Sequence, residues 1–224
     1  MTFGFRIFND HARAREDLVA AAGALPTAIL SDNLSRIYAA GPAIRPMHGD
    51  GVLCGTALTV KTRPGDNLMI HKAVDMAEPG DVIVVEAGGD LTNSLIGELI
   101  ITHAVSRGVK GFVIDGAIRD LDAIRGGTTP IFAAGVSHRG PYKDGPGEVN
   151  VPIALHGMIV SPGDIIVGDL DGVLCVPTDD AEAVIELALA QVDREKKTLE
   201  AIAGEGWDRG WVDEILRARG CSLD

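Results

Sequence analysis

Residues 111–120 read GFVIDGAIRD, and this stretch decides how the rest of the chain is interpreted. It opens with the apolar run FVI, which a glycine precedes and the pair Asp115 and Gly116 follows. A short apolar run bounded by turn residues is typical of a fully buried strand that leads into a tight turn. After the turn stand a cation and an anion, Arg119 and Asp120. A loop at the end of a buried strand is a rigid place to hold reactive groups, so Arg119 and Asp120 are candidate site residues. The alternative interpretation is a surface turn with an ordinary Arg–Asp pair.

A second polar segment lies upstream, where residues 86–100 read EAGGDLTNSLIGELI. Its first residues close the apolar run DVIVVEA, another predicted buried strand, and Gly97 opens a helix to about residue 107. N–H groups in the first turn of a helix have no intrahelical acceptor and suit a carboxylate or phosphate. Glu98 lies 21 positions before Arg119, an interval that fits a helix and a strand returning to the same edge of the sheet. We therefore expect Glu98, Arg119 and Asp120 to converge on one pocket.

Four segments together carry a family resemblance: GGDLTNSLIGE, GVKGFVIDGAIRD, PGDVIVVE before them and PGDIIVGDLDGVLCVP after them. They resemble the 4-hydroxy-4-methyl-2-oxoglutarate aldolases, which share a superfamily with the regulator of ribonuclease E activity. The resemblance runs from Pro26 to the helix around Glu195. The family signature has Asp at the position of Glu98, so this chain keeps the carboxylate on an arm one methylene longer.

The resemblance implies a mixed α/β fold, a layered β/β/α sandwich like that of swivelling domains, with flanking N- and C-terminal helices. We expect residues 1–224 to form a single aldolase-like domain, with helical segments at residues 1–41 and 178–224. Within the first segment the apolar spacing predicts a helix over residues 10–22. The resemblance further implies assembly as a homotrimer or as a hexamer of two trimers.

The same resemblance implies a metal site and a substrate site. Asp120 would be the direct ligand of Mg²⁺ or Mn²⁺, and Glu98 and a neighbouring subunit's Glu195 would act through water. Arg119 would stabilise the enolate, and Glu98 would orient the water that serves as the catalytic base. The substrate-binding residues that it implies are Gly97, Glu98, Leu99, Ile100 and Arg119.

The histidines bear on the kind of metal that the chain can bind. The six of them show no close pairing such as HxH or HExxH, so a zinc site of nitrogen and sulfur ligands is not predicted. Carboxylate ligands favour a hard cation that keeps several waters, such as Mg²⁺ or Mn²⁺.

The predicted function is that of a divalent-metal-dependent class II aldolase, a carbon–carbon lyase. It would cleave 4-hydroxy-4-methyl-2-oxoglutarate or a related 4-hydroxy-2-oxo dicarboxylate to pyruvate, with oxaloacetate decarboxylation as a side activity. Two other functions stay open: a non-enzymatic, protein-binding regulator of a ribonuclease, and a related lyase or decarboxylase acting on another hydroxy acid. A Schiff-base aldolase is the mechanistic alternative, and Lys61, in the run LTVKT, is the lysine with apolar neighbours.

Residues 137–150, SHRGPYKDGPGEVN, form a long polar loop. A loop of this length in a compact domain is often functional, so it is a candidate lid or substrate-specificity element. Three of its side chains are candidates to meet a second carboxylate of a substrate: His138, Arg139 and Lys143. The alternative interpretation is a surface excursion or a subunit contact.

Composition narrows the classes of partner. The formal net charge of −12 at pH 7 argues against nucleic acid, because phosphate backbones are bound by clustered Lys and Arg. The N-terminus becomes charged too early for a signal peptide and no apolar run reaches membrane-spanning length, which predicts no membrane partner and a cytoplasmic location. Cys54, Cys175 and Cys221 are scattered and odd in number, so we expect neither a disulfide framework nor a cysteine nucleophile.

Overall fold

The computed structural model describes residues 3–9, 13–204 and 206–223, which contain twelve strands and seven α-helices. The strands are β1 (Phe5–Ile7), β2 (Arg45–Pro46), β3 (Leu53–Thr62), β4 (Asp81–Glu86), β5 (Ser94–Ile96), β6 (Gly111–Ile118), β7 (Ile131–Val136), β8 (Gly147–Val149), β9 (Ile153–Leu155), β10 (Met158–Val160), β11 (Ile165–Asp169) and β12 (Gly172–Val176). The helices are α1 (Glu16–Gly23), α2 (Thr27–Asn33), α3 (Leu68–Met76), α4 (Glu98–Ser106), α5 (Leu121–Gly126), α6 (Ala181–Ala203) and α7 (Gly210–Ala218). A short 3-10 helix spans Gly41–Ala43.

Four parallel strands, β3, β4, β6 and β7, form the centre of a ten-stranded sheet. These strands read as continuous apolar runs because both faces of the sheet are covered. The short strand β5 lies parallel to the end of β6, with Ser94 opposite Ala117. The carboxyl ends of β5 and β6 therefore lie together at one edge of the sheet, which is where ligands bind in many open α/β folds.

Two apolar layers cover the sheet, one on each face. Side chains alternate between the two faces along β4, and those of Ile83 and Val85 lie in the layer under α3, α4 and α5. The same alternation sends Val82 and Val84 into the opposite layer, which contains the β9–β10 hairpin and β12. The mixed α/β prediction is confirmed, and helices on one face with strands on the other give the layered arrangement that was expected.

The predicted turn at Asp115 and Gly116 is wrong, since both residues lie inside β6. The Asp115 carboxylate is buried 2.9 Å from Nε2 of His156. A side chain at Gly116 would place its Cβ only 2.9 Å from Cδ1 of Leu95, so any other residue here would require the Leu95 side chain to move. The pairing of β6 with β7 shifts register at this point, and the irregularity accommodates the pair without ending the strand.

The chain divides into two compact units, Met1–Ala188 and Leu189–Asp224. All twelve strands of the described residues lie in the first unit. The second contains the end of α6 and all of α7, and no residue that the structure describes in it is buried. The single domain over residues 1–224 stays a prediction.

The N-terminal helical segment is shorter than predicted where the structure describes it. Helix α1 begins at Glu16, and Asp10, His11 and Ala12 of the predicted helix lie outside the described residues. None of the helices in the described ranges is both long and apolar enough to cross a membrane.

Candidate active site

The turn after β6 presents Arg119 and Asp120 at the edge of the sheet. The N–H of Arg119 donates to the carbonyl of Ile96 at 3.0 Å, which ties this turn to the end of β5. Asp120 takes the left-handed conformation, with φ 61°, and α5 begins at the next residue. Asp is among the few residues other than glycine that adopt this conformation readily, so its identity suits the turn as well as the site.

The carboxylate of Asp120 joins the two loops. Its Oδ2 accepts the backbone N–H of Glu98 at 3.0 Å and lies 3.7 Å from Nε of Arg119. The negative charge thus sits at the N-terminus of α4, where the helix dipole stabilises it. Gly97 makes this approach possible, because a Cβ there would overlap Asp120 Oδ2 and would lie 2.9 Å from Cγ of Arg119.

A cavity of about 180 Å³ opens beside this junction. Gly97, Leu99, Ile100 and Arg119 all line it, so four of the five predicted substrate-binding residues meet at one place. The N–H groups of Leu99 and Ile100 lie in the first turn of α4 and have no acceptor within the helix. They and the Arg119 guanidinium can together hold a carboxylate.

The two predicted carboxylates, Glu98 and Asp120, lie next to this cavity and do not line it. Asp120 lines an adjoining cavity of about 250 Å³ together with Arg119, Ser137 and His138. Glu98 lines a further cavity, of about 310 Å³, with residues of α4, of α5 and of the segment after α5. Only the backbone N–H of Glu98 contacts Asp120, so the predicted convergence of the Glu98 carboxylate on the pocket stays a prediction.

The residues present fit a hard divalent cation bound by few protein ligands. Among the described residues, no group of three or more His, Cys, Asp and Glu side chains could hold a metal. Mg²⁺ needs no such cage, because it is usually held by one or two carboxylates and keeps several waters. The Asp120 side chain is 41% exposed and can supply one such carboxylate, whereas Glu98, which precedes it in the chain, lines the cavity beside α5. Glu195 lies in the second unit, where its Oε1 accepts a hydrogen bond from Gln191.

Comparison with known proteins assigns the family. The family model described as RraA-like (Aldolase/RraA) matches residues 27–175. The chain belongs to the RraA-like family. A protein of Halalkalibacterium halodurans, provisionally named 4-hydroxy-4-methyl-2-oxoglutarate aldolase, is 39% identical over 177 residues, which are 79% of this chain and 84% of that protein.

Two solved structures show how far the RraA-like fold extends over the chain. An uncharacterised protein from Pseudomonas syringae superposes with a TM-score of 0.78 and 28% identity, over 87% of this chain and 92% of that one. The RNA-processing inhibitor RraA from Thermus thermophilus superposes with a TM-score of 0.63 and 30% identity, over 68% of this chain and 92% of that one. The RraA-like family therefore includes proteins named for an enzyme and proteins named for inhibition.

The environment of Lys61 does not favour the Schiff-base alternative for this RraA-like chain. Its side chain is 50% exposed and its ammonium pairs with Glu86 at 2.8 Å. A Schiff-base lysine needs the opposite environment, with burial that lowers the pKa of its amine. Cys54 offers no nucleophile either, since burial raises the pKa of its thiol to about 11.

The predicted loop at residues 137–150 is shorter than expected, because its last residues form β8 (Gly147–Val149), and hydrogen bonds tie its first part to neighbouring segments. The carbonyl of Arg139 accepts the N–H of Ser94 at 2.8 Å, and the N–H of Tyr142 donates to the carbonyl of Gly65, also at 2.8 Å. Further along, the N–H of Asp144 donates to the buried carboxylate of Asp66 at 2.7 Å. These bonds favour a fixed wall of the site over a mobile lid. Of these three side chains, Lys143 lines the cavity beside Arg119 and His138 lines the one beside Asp120.

Sequence reasoning missed two residues of α3 and the turn before it, Asn67 and His71, which line the same cavity as Arg119. Asn67 is 1% exposed, and the pKa of the half-buried His71 is lowered, first by burial and then by the nearby ammonium of Lys143. A weak signal was present, because residues four apart lie on one face of a helix and two polar side chains there interrupt an apolar pattern.

Proposed function

We propose that this RraA-like chain is a carbon–carbon lyase, a divalent-metal-dependent class II aldolase. It cleaves 4-hydroxy-4-methyl-2-oxoglutarate or a related 4-hydroxy-2-oxo dicarboxylate to pyruvate, and it decarboxylates oxaloacetate as a side activity. One observation carries the proposal: Arg119 and the first turn of α4 line one cavity, and beside them the Asp120 carboxylate accepts a hydrogen bond from the N–H of Glu98. The Halalkalibacterium relative supports the substrate class through its name.

Binding of the 2-oxo acid uses groups that the fold already holds in place. The N–H groups of Leu99 and Ile100 donate to the C1 carboxylate, where the positive end of the helix dipole adds to the attraction. Arg119 donates to the 2-oxo oxygen. A divalent cation held by Asp120, with Glu98 and a partner subunit's Glu195 acting through water, supplies Lewis-acid polarisation of that oxygen when bound.

The reaction then breaks the bond between C3 and C4. A water oriented by Glu98 takes the proton of the C4 hydroxyl, and the C4 carbonyl forms as the C3–C4 electron pair moves onto the 2-oxo group. Arg119 stabilises the resulting enolate oxygen, which carries more charge than the ketone did and is therefore bound more strongly. Protonation at C3 gives pyruvate. Oxaloacetate yields the same enolate when its C4 leaves as CO₂.

The proposal includes an assembly, because the family resemblance implies that Glu195 reaches the metal site of a neighbouring subunit. We propose a homotrimer or hexamer in which Glu195 completes the site of the next subunit. A single domain over residues 1–224 and a cytoplasmic location belong to the same proposal. Light scattering coupled to size-exclusion chromatography measures the assembly directly.

The test is pyruvate release from 4-hydroxy-4-methyl-2-oxoglutarate and from oxaloacetate, with Mg²⁺ and with EDTA. Asp120→Ala and Asp120→Asn are the variants, because the asparagine keeps an oxygen for the N–H of Glu98 but loses the charge. We expect EDTA and both variants to lower turnover of both substrates by at least about a hundredfold, the cost of removing one main electrostatic group. Asp120→Asn should melt close to wild type.

Other outcomes of this experiment would favour a different function. Turnover of oxaloacetate alone would keep the mechanism and move the aldol substrate to another hydroxy acid. No metal-dependent turnover of either substrate would overturn the lyase proposal. The protein-binding regulator would then be the better assignment, which the 30% identity to the Thermus RNA-processing inhibitor supports.

A further inference from the structure

A row of charged side chains crosses the sheet on the face opposite α3 and α4. Glu86 belongs to it and lies two residues after Val84, whose side chain is in the layer of the β9–β10 hairpin, so the row faces this hairpin. Residues directly opposite each other in neighbouring strands point to the same face. The register of β1, β8, β3, β4 and β6 places five charges side by side in that order: Arg6, Glu148, Lys61, Glu86 and Asp115.

The β9–β10 hairpin closes the half of the row that Glu86 and Asp115 form. Oε2 of Glu86 accepts the backbone N–H of Ala154 at 3.1 Å. The carboxylate of Asp115 is buried 2.9 Å from Nε2 of His156, in the turn of the hairpin. Both carboxylates of this half therefore have a partner from the layer above them.

The other half of the row, formed by Arg6, Glu148 and Lys61, is open. These three side chains line a cavity of about 520 Å³, whose other lining residues are Phe8, Asn150, Val151 and Pro152. Cross-strand pairs of opposite charge stabilise a sheet only slightly, and they use only part of the hydrogen-bonding capacity of each group. The charges along this open half run positive, negative, positive, in a chain whose formal net charge is −12.

The guanidinium of Arg6 is held in one orientation. Its Nε donates to Oε1 of Glu148. The ring centroids of Phe3 and Phe8 lie 6.0 and 5.5 Å from its Cζ, at the range of cation–π attraction. Its two terminal nitrogens have no acceptor among the residues that the structure describes. A guanidinium fixed in this way offers parallel N–H donors to a carboxylate.

Lys61 and Glu148 also keep groups that their ion pairs do not use. An ammonium has three donors, and the described carboxylates engage that of Lys61 once, at 2.8 Å to Oε1 of Glu86. The side chain of Glu148 is 12% exposed, and its Oε2 accepts nothing from the described part of the chain. The open half thus presents donors, an acceptor and donors. Two strand spacings separate Arg6 from Lys61, about 10 Å between their backbones, which leaves room for a small molecule between the two cations.

We propose that Arg6, Glu148 and Lys61 form a binding site for an acidic amino acid, aspartate or glutamate. The two carboxylates of the ligand pair with Arg6 and Lys61, and its ammonium donates to Oε2 of Glu148. A ligand whose charges are negative, positive and negative complements a row that is positive, negative and positive. The site lies on the other face of the sheet from the proposed lyase reaction, and the inference does not depend on that reaction.

Isothermal titration calorimetry with L-glutamate, glutarate and L-glutamine tests the match of charges. Glutarate lacks the ammonium group, and L-glutamine lacks the second carboxylate. We expect wild type to bind L-glutamate at least about tenfold more tightly than either, the typical effect of one charge-assisted hydrogen bond. Glu148→Gln should reverse the preference for L-glutamate over glutarate, because the variant no longer attracts an ammonium or repels a simple dicarboxylate.

Two further variants test the cations. Lys61→Met should weaken the binding of L-glutamate by about tenfold. Arg6→Lys keeps the charge beside Glu148 and loses the parallel donors, so it should weaken binding by less. Lys110→Met removes an exposed lysine outside the cavity and should bind as wild type does. Thermal melting of each variant shows that it is folded.

A titration of Arg119→Met identifies the cavity that the ligand occupies, because the cavity beside Arg119 also suits a carboxylate. The charged row is intact in this variant, so L-glutamate should bind with the strength seen in wild type. The proposal is wrong if Arg119→Met abolishes binding while the variants of the row bind normally. It is equally wrong if wild type does not bind L-glutamate at millimolar concentration, or binds glutarate as tightly. None of these results bears on the aldolase proposal, whose test is pyruvate release.

Discussion

Two regions that the sequence assigns to one reaction are built in opposite ways. Between Ser94 and Asp120 the polar groups are fixed by the chain's own backbone, with the N–H of Glu98 on Asp120 and the N–H of Arg119 on the carbonyl of Ile96. In Leu189–Asp224 no described residue is buried, and the side chain of Glu195 accepts a hydrogen bond from Gln191, on the preceding turn of its own helix. In the region between Ser94 and Asp120, contacts within one chain fix the positions of the polar groups. In Leu189–Asp224, polar and apolar side chains alike are exposed.

This difference in burial and bonding determines which functional roles can be explained from the structure of a single chain. A site residue in the first region is explained by bonds and close contacts that would break if the residue changed. A site residue in the second has no such constraint among the described contacts, and the role proposed for Glu195 depends on what the exposed helix meets in an assembly. Helix α7 shows the same feature, since the large apolar side chains Trp211 and Ile215 are exposed on it. Variants in the two regions should therefore fail in different ways.

The largest effect is expected from Gly97→Ala, in the first region. The added Cβ overlaps Asp120 Oδ2 and crowds Cγ of Arg119, so the two side chains of the site must move. We expect pyruvate release to fall by about a hundredfold or more, since displacing catalytic groups by about 1 Å has this cost. Overpacking should also lower the free energy of unfolding by about 1–3 kcal/mol, which urea denaturation measures.

Gly126→Ala is the matched control for this prediction. The new Cβ would meet no atom within 4 Å, and the residue lies at the end of helix α5. Its turnover should equal that of wild type, and its stability should be the same or slightly higher, because alanine is the better helix former. Equal behaviour of the two alanine variants would show that the close approach at Gly97 does not hold the site in place.

The sequence predicts some features of the fold and the site better than others. Long apolar runs such as DVIVVE identify buried parallel strands, and the order of strand, helix and strand brings Glu98 and Arg119 to one edge of the sheet. The prediction that failed is the turn at Asp115 and Gly116, which depends on contacts between residues distant in sequence. An Asp-Gly pair favours a turn locally, but Asp115 meets His156 and Gly116 meets Leu95, so the strand continues.

The residues that line the far end of the cavity were missed for a related reason. Asn67 and His71 give only a weak signal in the sequence, two polar side chains four residues apart, and their place beside Leu95 and Lys143 appears only in the fold. Periodicity predicts which face of a helix is buried, and it does not predict which buried polar atom lacks a partner. That information exists only in the folded chain.

A smaller effect is expected from Glu195→Gln, in the second region. If a partner's site uses this carboxylate through water, pyruvate release should fall by about tenfold while the melting temperature stays unchanged, because the side chain is exposed. Glu200→Gln, also exposed on α6, should behave as wild type in both measurements. A fall in stability with Glu195→Gln would contradict the contrast drawn between the two regions.

Mixing subunits sharpens this prediction, because Asp120→Ala and Glu195→Gln remove different halves of the proposed site. In a mixed oligomer some sites would combine the intact Asp120 of one chain with the intact Glu195 of another. Activity of the refolded mixture should therefore exceed that of either variant alone. No gain on mixing, in an oligomer that does exchange subunits, would place Glu195 outside the neighbouring site.

The smallest effect concerns Asp66, which anchors the loop that carries Lys143. Burial by itself raises the pKa of this carboxyl, but the N–H donors of Leu68, Asp144 and Gly145 outweigh it, and the pKa lies below the ordinary 3.8. Because the folded pKa is lowered, this stabilisation is complete above about pH 4 and is lost as the pH falls through the folded value. Asp66→Asn should therefore lower the free energy of unfolding by about 1 kcal/mol at pH 7 and by less at pH 3.

Urea denaturation at the two pH values measures this difference, and Asp213→Asn is its control in the second region. Asp213 is 57% exposed and forms an exposed pair with Arg217 at 3.7 Å, so the substitution should change stability little at either pH. If the two asparagine variants lost the same stability with the same pH dependence, the buried anchor would contribute no more than a surface pair. The loop at residues 137–150 would then be held by its backbone bonds alone, and the fixed position of Lys143 would need another cause.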